Sequence, residues 1–391
     1  MGLHATAAQP FSHLAMGPGR WVTLGPAIGG GSMGTVFRGT MTSGYGVERA
    51  VAVRLFPTCE GEDGARRFEL LGSIARKSAR IAHPNVVSAS EFGVQAGIPY
   101  YITELVHGVS LATFVNMMRE QRQLVPVDLG LFIASEIAAG LVGARESLDQ
   151  HGREQRLPHG DLSLRSVLLS FHGEVKVADF ALSVARGAST GVRSRNALRQ
   201  VVAHLAPEVL GGQEADERSD VFSLGVLLWE LLMGPRIPPE LSDGEAVSRC
   251  RAGWLDLTGH LPTLPAFVAQ VLRKAVQTAP ARRYQDARHM AYDLESASLS
   301  LNLGDERSFL RQSLENLFHP GGPPQAGPDT TPCAPIPRAP VLQSDVYLSQ
   351  HDDEDAGSHE LEFDDAFELC DTDLEDEEPS ILTSLPWSED E

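Results

Sequence analysis

Residues Gly29-Gly30-Gly31-Ser32-Met33-Gly34-Thr35-Val36 place glycines where two β-rich runs meet. A backbone without Cβ atoms can approach phosphate oxygens closely and offer them its N–H groups. Taken alone, the stretch also reads as an ordinary hairpin turn. It is followed in order by Val51-Ala52-Val53-Arg54, His83-Pro84-Asn85-Val86-Val87, Thr103-Glu104-Leu105, His159-Gly160-Asp161-Leu162, Asp179-Phe180-Ala181, Ala206-Pro207-Glu208, Asp220-Val221-Phe222-Ser223-Leu224-Gly225 and Pro280-Ala281-Arg282-Arg283-Tyr284. The four cysteines, Cys59, Cys250, Cys333 and Cys370, stand singly. They form neither the C-x-x-C pairs of zinc and redox sites nor a disulfide framework, which points to a reducing, cytoplasmic setting.

These residues must be carried by two unlike sets of elements. From Trp21 to about Leu105, short β-rich runs dominate, at Val22 to Ile28, Thr35 to Gly39, Ala50 to Phe56, Val86 to Phe92 and Tyr100 to Leu105. One helical stretch, Gly64 to Ile81, interrupts them and is expected to pack on their sheet. Beyond Ser110 the pattern turns helical, with segments at Val127 to Leu148, Asp220 to Leu232, Leu264 to Ala275 and Tyr284 to Leu299. Asp220 to Leu232 is apolar nearly all round, as a central buried helix would be. No run reaches the ~18 consecutive apolar residues of a membrane span.

The expected organisation is a flexible leader over 1–20, a two-lobed domain over 21–300 (small lobe 21–105, large lobe 106–300) and a helical extension over 301–318. A Pro/Gly-rich linker over 319–344 and an acidic, disordered tail over 345–391 follow. Of the formal charge of −20, the stretch Asp345 to Glu391 supplies −19, with 19 acidic residues and no Lys or Arg, so the remainder is near −1. A neutral body with an acidic tail attracts neither nucleic acid nor anionic membrane, and favours basic protein surfaces as partners. Phe363, Phe367, Leu369, Ile381, Leu385 and Trp387 dot the tail with apolar anchors. It therefore reads either as a docking segment or as a solubilising appendage.

In order and spacing the eight signatures that follow the glycines resemble the bacterial Ser/Thr protein kinases over roughly Trp21 to Leu299. The resemblance implies an α+β, two-lobed protein-kinase fold, with a β-rich small lobe, a mostly helical large lobe and a nucleotide cleft between them. It implies ATP as the ligand, cradled by Gly29, Gly31, Gly34, Val36, Ala52 and Arg54. Thr103 would be the gatekeeper, and Glu104 to Val106 the hinge backbone facing the adenine. Asp161 would be the catalytic base and Asp179 the main magnesium ligand. Structural duties fall to Glu208, paired with Arg283, and to Asp220, capping the catalytic-loop turn.

The departures from that family pattern point the other way. Arg54 stands where such kinases use Lys, and a wider guanidinium does not occupy the same point as an ammonium. The carboxylate expected to pair with it falls at Ile74. Glu69, five residues earlier, is turned by ~140° on a helix and would face away. Gly160 replaces an Arg, Ser163 a Lys, Ser166 the Asn that holds a second metal, and Ala181 a Gly; Gln200 and Val201 replace a Gly-Thr pair. Ser166 remains a weak candidate metal ligand.

The expectation is a nucleotide-binding pseudokinase or scaffold with impaired phosphoryl transfer; the alternative is an active Ser/Thr kinase with Asp161 as base. A scaffold could also use Arg186, Arg193, Arg195 and Arg199 of the segment Leu182 to Leu205, either against the acidic tail or against an acidic partner. Ser189, Thr190 and Ser194 of the same segment are candidate phosphorylation sites.

Overall fold

The computed structural model describes residues 11–31, 33–57, 61–182, 202–238, 240–253, 255, 264–300 and 304–318. The linker, the acidic tail and the arginines at 186, 193, 195 and 199 lie outside them, as do Gln200, Val201 and the candidate phosphorylation sites.

Six strands form the first sheet in the order β1-β2-β3-β4-β6-β5: β1 His13–Ala15, β2 Trp21–Gly31, β3 Gly34–Thr42, β4 Glu48–Leu55, β5 Ala89–Gln95 and β6 Ile98–Glu104. Alternation decides its two faces. Val51 and Val53 of β4 pack with Phe37, Tyr100 and Ile102 on one face, where Leu14 of β1 covers them. The expected leader is therefore folded chain from residue 11. A three-residue strand carries too little periodicity to be seen in sequence, but where it pairs with β2 its Leu14, opposite Val22, is completely buried.

Helix α1 (Gly61–Ser78) packs across this lobe and buries Leu71, Ile74 and Ala75. Glu69 is exposed, as the helical rotation requires.

The larger lobe contains α2 (Leu111–Glu120), α3 (Val127–Glu146), α4 (Pro207–Leu210), α5 (Glu217–Met233), α6 (Asp243–Arg251), α7 (Ala266–Ala275), α8 (Ala287–Ser300) and α9 (Glu306–Phe318). A small sheet, β7 (Gly108–Ser110), β8 (Val167–Ser170) and β9 (Val175–Val177), lies beside the hinge. Helix α5 is buried along Ser219 to Leu232, and α3 is its partner. Among the described helices α3 alone is long and apolar enough to cross a membrane, a property the consecutive-residue count passed over. It is instead mostly buried, with Leu129, Leu131, Ile133 and Ile137 fully enclosed. One continuous hydrophobic cluster runs from Met33, Phe56 and Ile74 of the small lobe to α9.

Candidate active site

The sheet register gathers the residues expected around a nucleotide. In β3 and β4, Val36 faces Arg54 and Arg38 faces Ala52. In β4 and β6, Ala52 faces Thr103 and Arg54 faces Tyr101. Cross-strand partners share a face, so Val36, Ala52, Arg54 and Thr103 lie together on the side opposite the Val51–Val53 core. All four are partly buried. On β8, half-buried Leu168 sits between fully buried Val167 and Leu169, so it faces the opposite side of its strand. Leu168 is the cross-strand partner of Lys176, so the two share that face.

The glycine-rich segment is a hairpin in which Gly29 pairs with Val36, Gly30 with Thr35 and Gly31 with Gly34. Gly34 has φ +108°, and a Cβ there would lie 2.0 Å from the Leu55 carbonyl oxygen. No other residue type fits. Met33, next to it, is buried in the same cluster as Phe56, Leu71 and Ile74, so the hairpin tip is turned toward α1.

At the hinge the Glu104 N–H donates to the Ser88 carbonyl oxygen, and its own carbonyl accepts from the Thr103 hydroxyl at 3.3 Å. The Glu104 side chain accepts from the Ser88 N–H and from Lys176 at 3.0 Å. Val106 is half-buried between β6 and β7. Lys176 is a functional-site residue the sequence did not disclose, because 72 positions separate it from Glu104.

Below the cleft, α5 positions the loop His159 to Leu162. Asp216 caps the helix, accepting from the N–H groups of Arg218 and Ser219. This fixes Asp220 in the first turn, where its carboxylate accepts from the N–H of His159 at 2.7 Å and of Gly160 at 2.9 Å. Gly160 has φ +74°, a left-handed conformation in which glycine is favoured over the Arg of the resembling family. Complete burial pushes the Asp220 carboxyl up to about 6. Asp161 stands half-buried in the same loop, its N–H on His159 Nδ1. Glu208 of α4 and Arg283 form a two-pronged ion pair at 2.6 and 2.7 Å, with Arg283 wholly enclosed.

Ser163 and Ser166 are closed on each other. The Ser166 hydroxyl donates to the Ser163 carbonyl and accepts from its N–H, both at 3.0 Å, and Ser166 is only 6% exposed. Phe180 is buried and tilted against the His159 ring at 4.9 Å. On either side of it, Asp179 and Ala181 have φ +66° and +57°. For Ala181 that conformation costs about 1–2 kcal/mol relative to the right-handed one, a strain glycine would not bear.

The central contact is between lobes. One terminal nitrogen of Arg54 donates to both Asp179 carboxylate oxygens, at 2.7 and 2.6 Å. Ile74, where the pairing carboxylate was expected, is 5% exposed among apolar neighbours. Magnesium needs several oxygen ligands in near-octahedral array. Here both oxygens of Asp179 already face a cation, and Ser166 is spent on its own loop. Among the described residues no group of three or more His, Cys, Asp or Glu side chains is placed to hold a metal. As arranged, these residues do not fit a magnesium ion.

A family model described as protein tyrosine and serine/threonine kinase matches residues 22–289. The tyrosine-protein kinase MasK of Myxococcus xanthus is 30% identical over 268 residues, 68% of this chain and 41% of its own length. The serine/threonine-protein kinase PrkC of Bacillus subtilis is 28% identical over 295 residues, 74% of this chain and 42% of its own. The chain thus spans about two fifths of these curated relatives. The crystal structure of the Mycobacterium tuberculosis PknI kinase domain superposes with a TM-score of 0.53 at 22% identity, over 74% of this chain and 99% of that one, which is a likeness of fold.

Proposed function

This chain belongs to the protein tyrosine and serine/threonine kinase family, and from that membership we propose that it is a nucleotide-binding, kinase-like signalling protein whose phosphoryl transfer is impaired. The observation that carries the reading is the Arg54–Asp179 ion pair, which engages the carboxylate a metal would need. Phosphoryl transfer is almost entirely positioning and electrostatic stabilisation. Arg54 keeps a charge, but Ile74 and Ser163 supply none where the family places an acid and a base. At ~2 kcal/mol for each missing contact, several together lower the rate by several powers of ten, without strict additivity.

Nucleotide binding is supported by the shared face of Val36, Ala52 and Thr103 and by the hinge from Glu104 to Val106. ATP is the nucleotide that the family's chemistry suggests. The acidic tail suits a basic protein partner, and the single cysteines suit a reducing, cytoplasmic setting.

A second reading, an active protein kinase using Asp161 as base on a Ser or Thr hydroxyl, is favoured by the hold of Asp220 on the Asp161 loop and by the buried position of Phe180. The two are separated by transfer of radiolabelled γ-phosphate from ATP to the full chain and to a generic basic protein. Impaired transfer predicts that wild type, Asp161→Asn and Asp179→Asn are indistinguishable. Clear wild-type transfer that both substitutions abolish would establish the active kinase.

A further inference from the structure

We infer that the Arg54 guanidinium, anchored on Asp179, is the resident cation of the cleft and binds the phosphates of a nucleoside di- or triphosphate without a divalent metal ion. The inference rests on the nucleotide-binding reading and adds the state in which nucleotide is taken up. A bare carboxylate beside a phosphate is repulsive, by about 3–4 kcal/mol for unit charges 4–5 Å apart at an effective dielectric of 20. A metal ion ordinarily bridges the two. At Asp179 a guanidinium is already in contact with both oxygens.

The geometry of that contact matters. A guanidinium has five N–H donors in a planar fork, whereas an ammonium is a point charge. Both bonds to Asp179 leave from the same terminal nitrogen, and among the described residues the other two nitrogens of Arg54 make no hydrogen bond. The side chain is 18% exposed, so it is not sealed from a ligand. Arg54 also shares its sheet face with Val36, Ala52 and Thr103. One edge of the fork can hold the carboxylate while another takes a phosphate, as arginine commonly does. A metal entering at Asp179 would have to displace the guanidinium, so metal and Arg54 compete for one carboxylate.

The test is calorimetric titration of the full chain with ADP and with ATP, in EDTA and in excess magnesium, for wild type, Arg54→Lys and Arg54→Gln. Unchanged circular dichroism and thermal midpoint serve as the check on folding. The expected wild-type affinity in EDTA lies within about threefold of that in magnesium, a difference under ~1 kcal/mol. Arg54→Gln loses about tenfold or more in EDTA, ~1.4 kcal/mol. Arg54→Lys, which keeps the charge but lacks the guanidinium's planar fork, becomes magnesium-dependent; it is the deciding variant if Arg54→Gln unfolds. A wild-type affinity that drops about tenfold in EDTA overturns the inference and leaves nucleotide binding standing. So does metal-free binding that neither substitution weakens. No heat of binding under either condition removes the nucleotide-binding reading itself.

Discussion

Asp220 holds the His159–Gly160 turn at the cost of being wholly buried. Its carboxyl is raised because desolvation outweighs the favourable contact with His159 and the two N–H bonds it accepts. A carboxyl whose folded value lies above its unfolded one contributes stability that is fully present below about pH 4 and is lost as pH rises through about 6. Asp220→Asn removes that titration. The stability advantage of wild type over Asp220→Asn should therefore shrink, by on the order of 1–3 kcal/mol, between pH 4 and pH 7, read from urea unfolding of both proteins at each pH. Gly160 beside it shows why one departure from the family pattern is structurally cheap, since its positive φ suits a glycine. Arg54 and Asp179, 125 positions apart, become one ion pair whose existence neither residue announces locally.

At the scale of elements, α1 and α9 each show what a helix's period does and does not reveal. Helix α1 presents Ile74 inward and Glu69 outward, so no acid on that helix replaces the missing partner of Arg54 at those two positions. Helix α9 is part of the large lobe's core. Leu310 and Leu314 are fully buried, Arg307 bonds Glu174 in the β8–β9 turn, and Phe318 stands 6.3 Å from Phe171. Phe171 in turn packs edge-on against His107 at 5.3 Å, just after the hinge. Leu314→Ala should cost about 2–5 kcal/mol, because the enclosing helices relax only partly around the space it leaves; the midpoint of chemical denaturation measures it. Within the extension expected at 301–318, Glu306–Phe318 is helical, and the burial of Leu310 and Leu314 makes that helix a component of the large lobe. Its period of apolar residues was legible, but nothing in that period says against what it packs.

For the whole molecule, the described hydrophobic clusters begin at Leu14 and end at Leu317, and residues 1–328 form one compact unit. Removing residues 329–391 should leave the thermal midpoint essentially unchanged while raising the formal charge from −20 to about −1, since that stretch contains 20 acids and one Arg. Scanning calorimetry and ion-exchange elution would check the two halves of that expectation.

The order of signatures, the helix and strand periods and the identities of the substituted charges were all readable from the chain as written. Local spacing encodes which face a residue occupies, because backbone geometry repeats every two or 3.6 residues. That was enough to turn Glu69 away from Ile74 and to bury the helix beginning at Asp220. Which cation meets which carboxylate is another matter. The partnership of Arg54 with Asp179 and the seat of Lys176 on Glu104 arise when segments far apart in sequence are brought together. Ion pairing and burial depend on distance in space, and only folding sets that distance.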